Sequence, residues 1–289
     1  MMTAGVVARA SRAARMLGAM ALKTAAEGAP DDVLVLAYHA VSDAWDAETT
    51  VTVAQLRAQL EHLVARGYRG ATFEQAVMSP PPGRVLAVTF DDAHRSVMTV
   101  AFPLLRELGL PGTVFAPTDW IGAGRPTDWA GFERDAAGPH AHELVCMDWD
   151  ELAALADAGW EVGSHTCSHP HLTRLPDGQL RDELERSRAA IEERLGRPCR
   201  TLAYPYSDHD GRVVAATAAA GYVAAATIPM GGAQPYPLRW PRVGVFRHDS
   251  PRRFRLLTTP LVRQCLATTV GDAIADVPRA VKARWRRRR

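Results

Sequence analysis

Four residues of this chain have the types and spacing to do chemistry together. Asp91 and Asp92 lie in Val88-Thr89-Phe90-Asp91-Asp92-Ala93, and His165 and His169 lie in Gly163-Ser164-His165-Thr166-Cys167-Ser168-His169-Pro170. Two imidazoles and one carboxylate form a ligand set that leaves positions open on a borderline divalent cation, as in a catalytic zinc or cobalt site. The second carboxylate is then spare and can take a proton from a reacting water. Metal-assisted hydrolysis is the chemistry this set implies. Each half has a plainer reading, since Asp-Asp after a strand caps helices and paired histidines are common in turns. Their joint occurrence after two similar apolar runs favours the site.

Those runs are Val85–Phe90 and Trp160–Gly163, and both read as buried strands. Val33–Tyr38, Gly112–Ala116, Thr201–Tyr204, Gly221–Ala226 and Val243–Phe246 have the same character. Between them, helices are predicted over Leu56–Ala65, Ser96–Leu108, Asp148–Ala158, Asp177–Leu195 and Gly211–Ala220. Asp148 and Glu151 make a capping box for the third of these. This α/β alternation, about seven units long, predicts a parallel sheet, either a closed barrel or an open doubly wound sheet. In both, working residues sit at the carboxyl ends of strands, where Asp91, Asp92 and His165 fall. Adjacent residues there point different ways, so the two aspartates can take different tasks.

One domain is expected over 32–270, preceded by a helical extension (1–31) and followed by a basic tail (271–289). The stretch 118–146, rich in glycine and aromatic residues, is a loop expected to form a lid or rim. An apolar fraction of 47% with 23% charged residues excludes general disorder. The net charge of +2 hides +7 in the last eleven residues, so the rest is mildly acidic and nucleic-acid binding has no support. Four scattered cysteines give no disulfide framework and no C-x-x-C pair. No run is long enough to cross a membrane. Arg9, Arg12 and Arg15 before Met16–Leu22 loosely imitate a signal peptide, but an amphipathic helix is the preferred reading. A cytoplasmic chain, or one touching a membrane peripherally through its basic termini, is therefore expected, with secretion the alternative. Oligomeric state is open. There is no G-x-S-x-G elbow, no zincin helix and no dinucleotide fingerprint.

Thr89-Phe90-Asp91-Asp92 and His165-Thr166-Cys167-Ser168-His169 resemble the first two motifs of the polysaccharide deacetylases, carbohydrate esterase family four, with the NodB homology domain. Ala203-Tyr204-Pro205-Tyr206 resembles the third, and Tyr38-His39 resembles the end of the family's opening strand. The resemblance covers most of 33–250. It implies a distorted (β/α) barrel of about seven units, irregular at one seam. It implies Asp91 as catalytic base, Asp92, His165 and His169 as ligands of a divalent metal (zinc, or cobalt), and the Tyr206 backbone N–H as an oxyanion donor. The implied activity removes an N-acetyl group from an amino sugar or glycan. The alternatives are a non-sugar amide substrate on the same fold, or an inactive carbohydrate-binding protein.

Two departures stand out. The third motif's arginine, which orients the base in the family, is Ala203 here, and Arg242 is the candidate to replace it. The motif around a general acid is missing, with His248 the nearest candidate and return of the proton from Asp91 the fallback. His39, His94 and His171 are close enough to line or back the site, although each has a plainer loop or packing role. Cys167 is expected in the core rather than on a metal. Trp120, Trp129 and Trp149 are candidates for stacking on sugar rings or for core packing.

Overall fold

The computed structural model describes residues 32–228 and 235–266. The predicted N-terminal extension and the basic tail lie outside the described residues. Eleven strands follow in chain order: β1 (Asp32–Tyr38), β2 (Ala40–Val41), β3 (Thr50–Val51), β4 (Tyr68–Gly70), β5 (Arg84–Phe90), β6 (Gly112–Ala116), β7 (Glu161–Ser164), β8 (Thr201–Ala203), β9 (Ala224–Thr227), β10 (Trp240–Pro241) and β11 (Val243–Gly244). Interleaved helices are α1 (Val53–Ala65), α2 (Phe73–Met78), α3 (Phe102–Glu107), α4 (Glu133–Ala136), α5 (Trp149–Asp157), α6 (Asp177–Leu195), α7 (Gly211–Ala219), α8 (Pro251–Leu257) and α9 (Pro260–Leu266). The capping box of α5 is present as predicted, and α6 has its predicted bounds, ending on Gly196 in the left-handed conformation. The helix predicted from Ser96 begins instead as a π-helical turn over Val97–Ala101.

The strands form a parallel barrel in the order β9-β8-β7-β6-β5-β1, closed by the segment 240–244. That segment takes the place of the predicted strand 243–246. Its first part pairs with β9 (Trp240 with Ala226) and its second with β1 (Val243 with Leu36), so one short stretch spans the seam. Arg242 lies between the two halves, its N–H donating to the Thr227 carbonyl at 2.8 Å. The barrel is irregular at a second place. β5 pairs with β4 through Arg84–Leu86 and with β6 only from Val88 onward.

The period-2 alternation of strands divides the core in two. Leu34, Leu36, Tyr38, Leu86, Val88 and Phe90 pack outward against the helices. Val35, Ala87, Phe115, Ala203 and Ala226 form the barrel interior, joined by Phe73 of α2. Small residues at 87, 203 and 226 leave the room that Phe115 takes. Gly163 serves the same end, because a Cβ there would lie 2.6–2.7 Å from Thr201 and the Phe115 ring. The inward phase of β5 runs Val85, Ala87, Thr89 and then Asp91, which is how a strand with an apolar sequence delivers a carboxylate to the barrel mouth.

At the opposite end, Glu161 opens β7. Its carboxylate accepts from the Glu74 N–H at 2.8 Å, from the Thr113 hydroxyl at 3.2 Å and from Thr201. Burial pushes its pKa above the ordinary carboxylate value, against the opposing effect of these hydrogen bonds. A raised folded-state pKa contributes stability that is complete below the unfolded value and is lost as pH rises through the raised one. Glu161→Gln keeps one acceptor oxygen, enough for the Glu74 N–H and the Thr113 hydroxyl, and removes the ionisation. It is expected to match or exceed the wild type in stability at pH 8 and to flatten the stability difference between pH 5 and pH 8. Urea denaturation of both proteins at the two pH values checks this. A variant less stable at pH 8 than at pH 5, relative to wild type, is the contrary result.

Candidate metal centre

Asp92, His165 and His169 converge at the barrel mouth, all buried, with their ligand atoms within 4.8 Å of one another. Asp92 Oδ1 lies 3.4 Å from His165 Nε2 and 3.5 Å from His169 Nε2. That oxygen is buried and has no hydrogen-bond partner. A buried, unpaired carboxylate oxygen facing two imidazole nitrogens is costly by itself and is the arrangement a divalent cation resolves. The residues therefore fit a metal.

The turns that build this centre are conformationally demanding. Asp92 and Ala93 have φ of 68° and 51°, and Thr166 and His169 have φ of 66° and 63°. Non-glycine residues in the left-handed region cost of order 1–3 kcal/mol each and cluster at functional sites. The turn 163–170 is tied down by the Thr166 hydroxyl, which accepts from the His169 N–H at 3.1 Å, and by Glu183 of α6. His165 Nδ1 lies 2.8 Å from the Ala203 carbonyl, which fixes Nδ1 as the donor and leaves Nε2 free for a metal.

The electrostatics suit that use. Burial would raise the Asp92 carboxyl, but the adjoining imidazoles of His165 and His94 hold it well below the usual range. Burial, then the neighbouring His165, lowers His169 to about 3, so its ring is neutral at physiological pH. Burial would lower His165 too, but the adjoining Asp92 carboxylate and the charge of Asp91 raise it. A metal must displace a proton there.

Asp91, the second carboxylate, is gripped by Arg242. Both guanidinium nitrogens donate to it, Nη1 to Oδ1 and Nη2 to Oδ2, each at 2.7 Å. Nη1 also donates to the Thr89 hydroxyl at 2.9 Å, and the guanidinium lies 5.5 Å from the centroid of the Phe115 ring. Burial favours protonating Asp91, but Arg242 outweighs it and holds the carboxyl below its ordinary value. So the arginine absent at Ala203 has a counterpart that reaches the same carboxylate from the seam.

The other predicted positions sort clearly. Tyr206 has φ of 56° in a short 3-10 turn after β8, and its ring packs edge-on against His169 at 4.6 Å. His39 Nε2 lies 4.0 Å from Asp91 Oδ2, at the end of β1. His248, by contrast, is exposed in a turn closed by two hydrogen bonds between Phe246 and Asp249, and the structure gives it no partner at the centre. His171 stacks on Tyr206 and faces Asp208 rather than a ligand. Cys167 is buried with its thiol toward the Glu183 carbonyl, as expected for a core residue, and burial raises its pKa to about 11. Trp120 and Trp129 follow the core-packing alternative, both being buried. Trp129 lies flat on His169 (4.1 Å, 20°), Trp120 packs edge-on against Trp129, and the Arg125 guanidinium lies 3.9 Å from the centroid of the Trp120 ring. The stretch 118–146 is accordingly a packed rim, laced to the ligand turn by Thr118 N–H to Thr166 O and Asp119 N–H to Cys167 O. Sequence reasoning gave no weight to Trp129 as a support for His169, because the pairing spans forty residues and has no motif.

Comparison with known proteins agrees with this geometry. A sequence model of the polysaccharide deacetylase family matches residues 78–225. The Bacillus subtilis (strain 168) protein YxkH, named after the same family, is 22% identical over 209 residues, covering 71% of this chain and 67% of its own length. The poly-beta-1,6-N-acetyl-D-glucosamine N-deacetylase of Staphylococcus epidermidis is 22% identical over 170 residues, and the chain spans 54% of its length. Among solved structures, the Streptococcus pyogenes deacetylase PplD, in complex with acetate, superposes with a TM-score of 0.66 at 20% identity, covering 79% of this chain and 98% of that one. At these identities the likeness to PplD establishes a shared fold. With the family's sequence model matching more than half of its residues, the chain belongs to the polysaccharide deacetylases, hydrolases of carbon–nitrogen bonds.

Proposed function

We propose that this chain is a metal-dependent hydrolase that removes the N-acetyl group from an amino sugar within a glycan. The observation that carries the reading is the pairing of two differently held aspartates. Asp92 faces His165 and His169, while Asp91 beside it is locked by Arg242 and kept off the metal set. Zinc or cobalt held by Asp92, His165 and His169 would supply Lewis acidity toward the amide carbonyl. The chain's own residues do the rest. Asp91, ionised because of Arg242, takes a proton from the attacking water. The backbone N–H of Tyr206 donates to the oxyanion. With His248 turned outward, the proton that Asp91 takes from the water is returned by Asp91 to the departing amine. The named substrate of the Staphylococcus relative, an N-acetylglucosamine polymer, supports a glycan of that class.

The test is acetate release from N-acetylglucosamine oligomers by zinc- and cobalt-loaded protein, with Asp91→Asn as control. Release by wild type and a loss of about 100-fold or more in the control are expected. Metal-loaded wild type that releases no acetate from any N-acetyl sugar would sink the reading and favour a non-sugar amide.

A further inference from the structure

His94 has no role so far, yet it is fully buried beside the centre. The left-handed pair Asp92–Ala93 folds the chain back, so that His94 Nε2 comes within 3.4 Å of Asp92 Oδ2. The segment is pinned on both sides. The Met147 N–H donates to the Ala93 carbonyl and the Arg95 N–H to the Val145 carbonyl, each at 2.9 Å. The rings of Trp45 and Phe132 flank the imidazole edge-on, both at 6.3 Å. Neither ring nitrogen makes a conventional hydrogen bond, and the Asp92 carboxylate is its polar neighbour. An imidazole enclosed by aromatic rings is costly to leave unpaired, and packing alone does not require one at this position. The two oxygens of Asp92 thus have separate partners: Oδ1 faces His165 and His169, and Oδ2 faces His94.

We infer that His94 is a positioning residue for the metal site, its Nε2–H holding the outer oxygen of Asp92 so that only the inner oxygen is offered to the metal. The inference rests on the metal reading above and adds to it a reason why Asp92 would offer a metal only one oxygen. A carboxylate held in this way leaves more of the coordination sphere for water and substrate. Outer partners of this kind typically govern metal affinity by 10- to 100-fold.

The experiment measures zinc affinity by competition with a chromophoric chelator, for wild type, His94→Phe and His94→Gln. His94→Phe is expected to bind about 10- to 100-fold more weakly while keeping its circular dichroism spectrum. Gln can place an amide N–H at the same oxygen and is expected to recover most of the affinity. A folded His94→Phe with wild-type zinc affinity overturns the inference. If that variant does not fold, the histidine 15N spectrum of zinc-loaded wild type decides. His94 must be the Nε2–H tautomer and His165 the Nδ1–H tautomer, and an Nδ1–H His94 overturns the inference. Wild type that binds no zinc would instead refute the metal reading on which the inference stands.

Discussion

Arg242→Ala is expected to lower kcat/KM by about 100- to 10,000-fold, the range associated with a general base that is lost or misaligned. The side chain makes both hydrogen bonds that orient Asp91, and it lies almost wholly inside the barrel. Three readouts separate this from simple damage. First, without the guanidinium, burial of Asp91 is opposed only by the neighbouring His165 and His39 and its pKa rises, so the acid limb of the pH–rate profile moves to higher pH. Second, Arg242→Lys keeps a charge but loses the two-pronged grip, and should fall between wild type and alanine with a smaller displacement of that limb. Third, removing one partner of a buried pair strands the other and costs about 3–5 kcal/mol. The depressed Asp91 pKa contributes stability above the ordinary carboxylate value that is lost as pH falls through the depressed one. The penalty should therefore be full at neutral pH and shrink in acid. Full activity with an unmoved acid limb in Arg242→Ala would end the proposed role.

Metal removal should have an effect of similar size, and its pH dependence has a definite sign. Chelation is expected to abolish acetate release, and added zinc to restore it. In the metal-free protein His165 carries a raised pKa, so its contribution to stability is complete below the ordinary histidine value and declines as pH rises through the raised one. Zinc competes with that proton. His169, lowered to about 3, needs no deprotonation in this range. Zinc affinity should thus rise with pH until His165 is neutral. The stabilisation that zinc confers, about 4 kcal/mol when present at a thousandfold excess over Kd, rises in step. Melting temperatures with and without zinc at pH 5.5, 6.5 and 7.5 should show a widening gap. A constant gap would mean that His165 is not the proton being displaced.

Much of this was legible in the chain because strand and ligand positions share one local pattern. Val85–Phe90 is apolar throughout, and the residues that follow must emerge at the barrel mouth, so Asp91 and Asp92 could be placed without coordinates. The same held for His165 after its short strand and for the capping box of Asp148 and Glu151. What escaped was long-range. Trp129 and His169 are forty residues apart, and their stacking depends on how the rim folds over the turn. His248 is one residue beyond Arg247 and close in sequence to the seam, but a local turn directs it outward. The predicted last strand was also too simple. Four residues pair with two different neighbours there, and periodicity cannot reveal a change of partner.

That change of partner orders the molecule in time. Asp92 comes from the turn after β5 and His165 and His169 from the turn after β7, whereas Arg242 meets Asp91 across a sequence separation of 151 residues. Contacts of such long separation are slow to form, because the intervening chain must first be organised. On the proposed function, capture of a metal and competence for hydrolysis are therefore expected to be separable events along the folding route. The residues that face a cation come from positions 92–169, and the arginine that orients the proposed base arrives only with the segment 240–244, which closes the barrel.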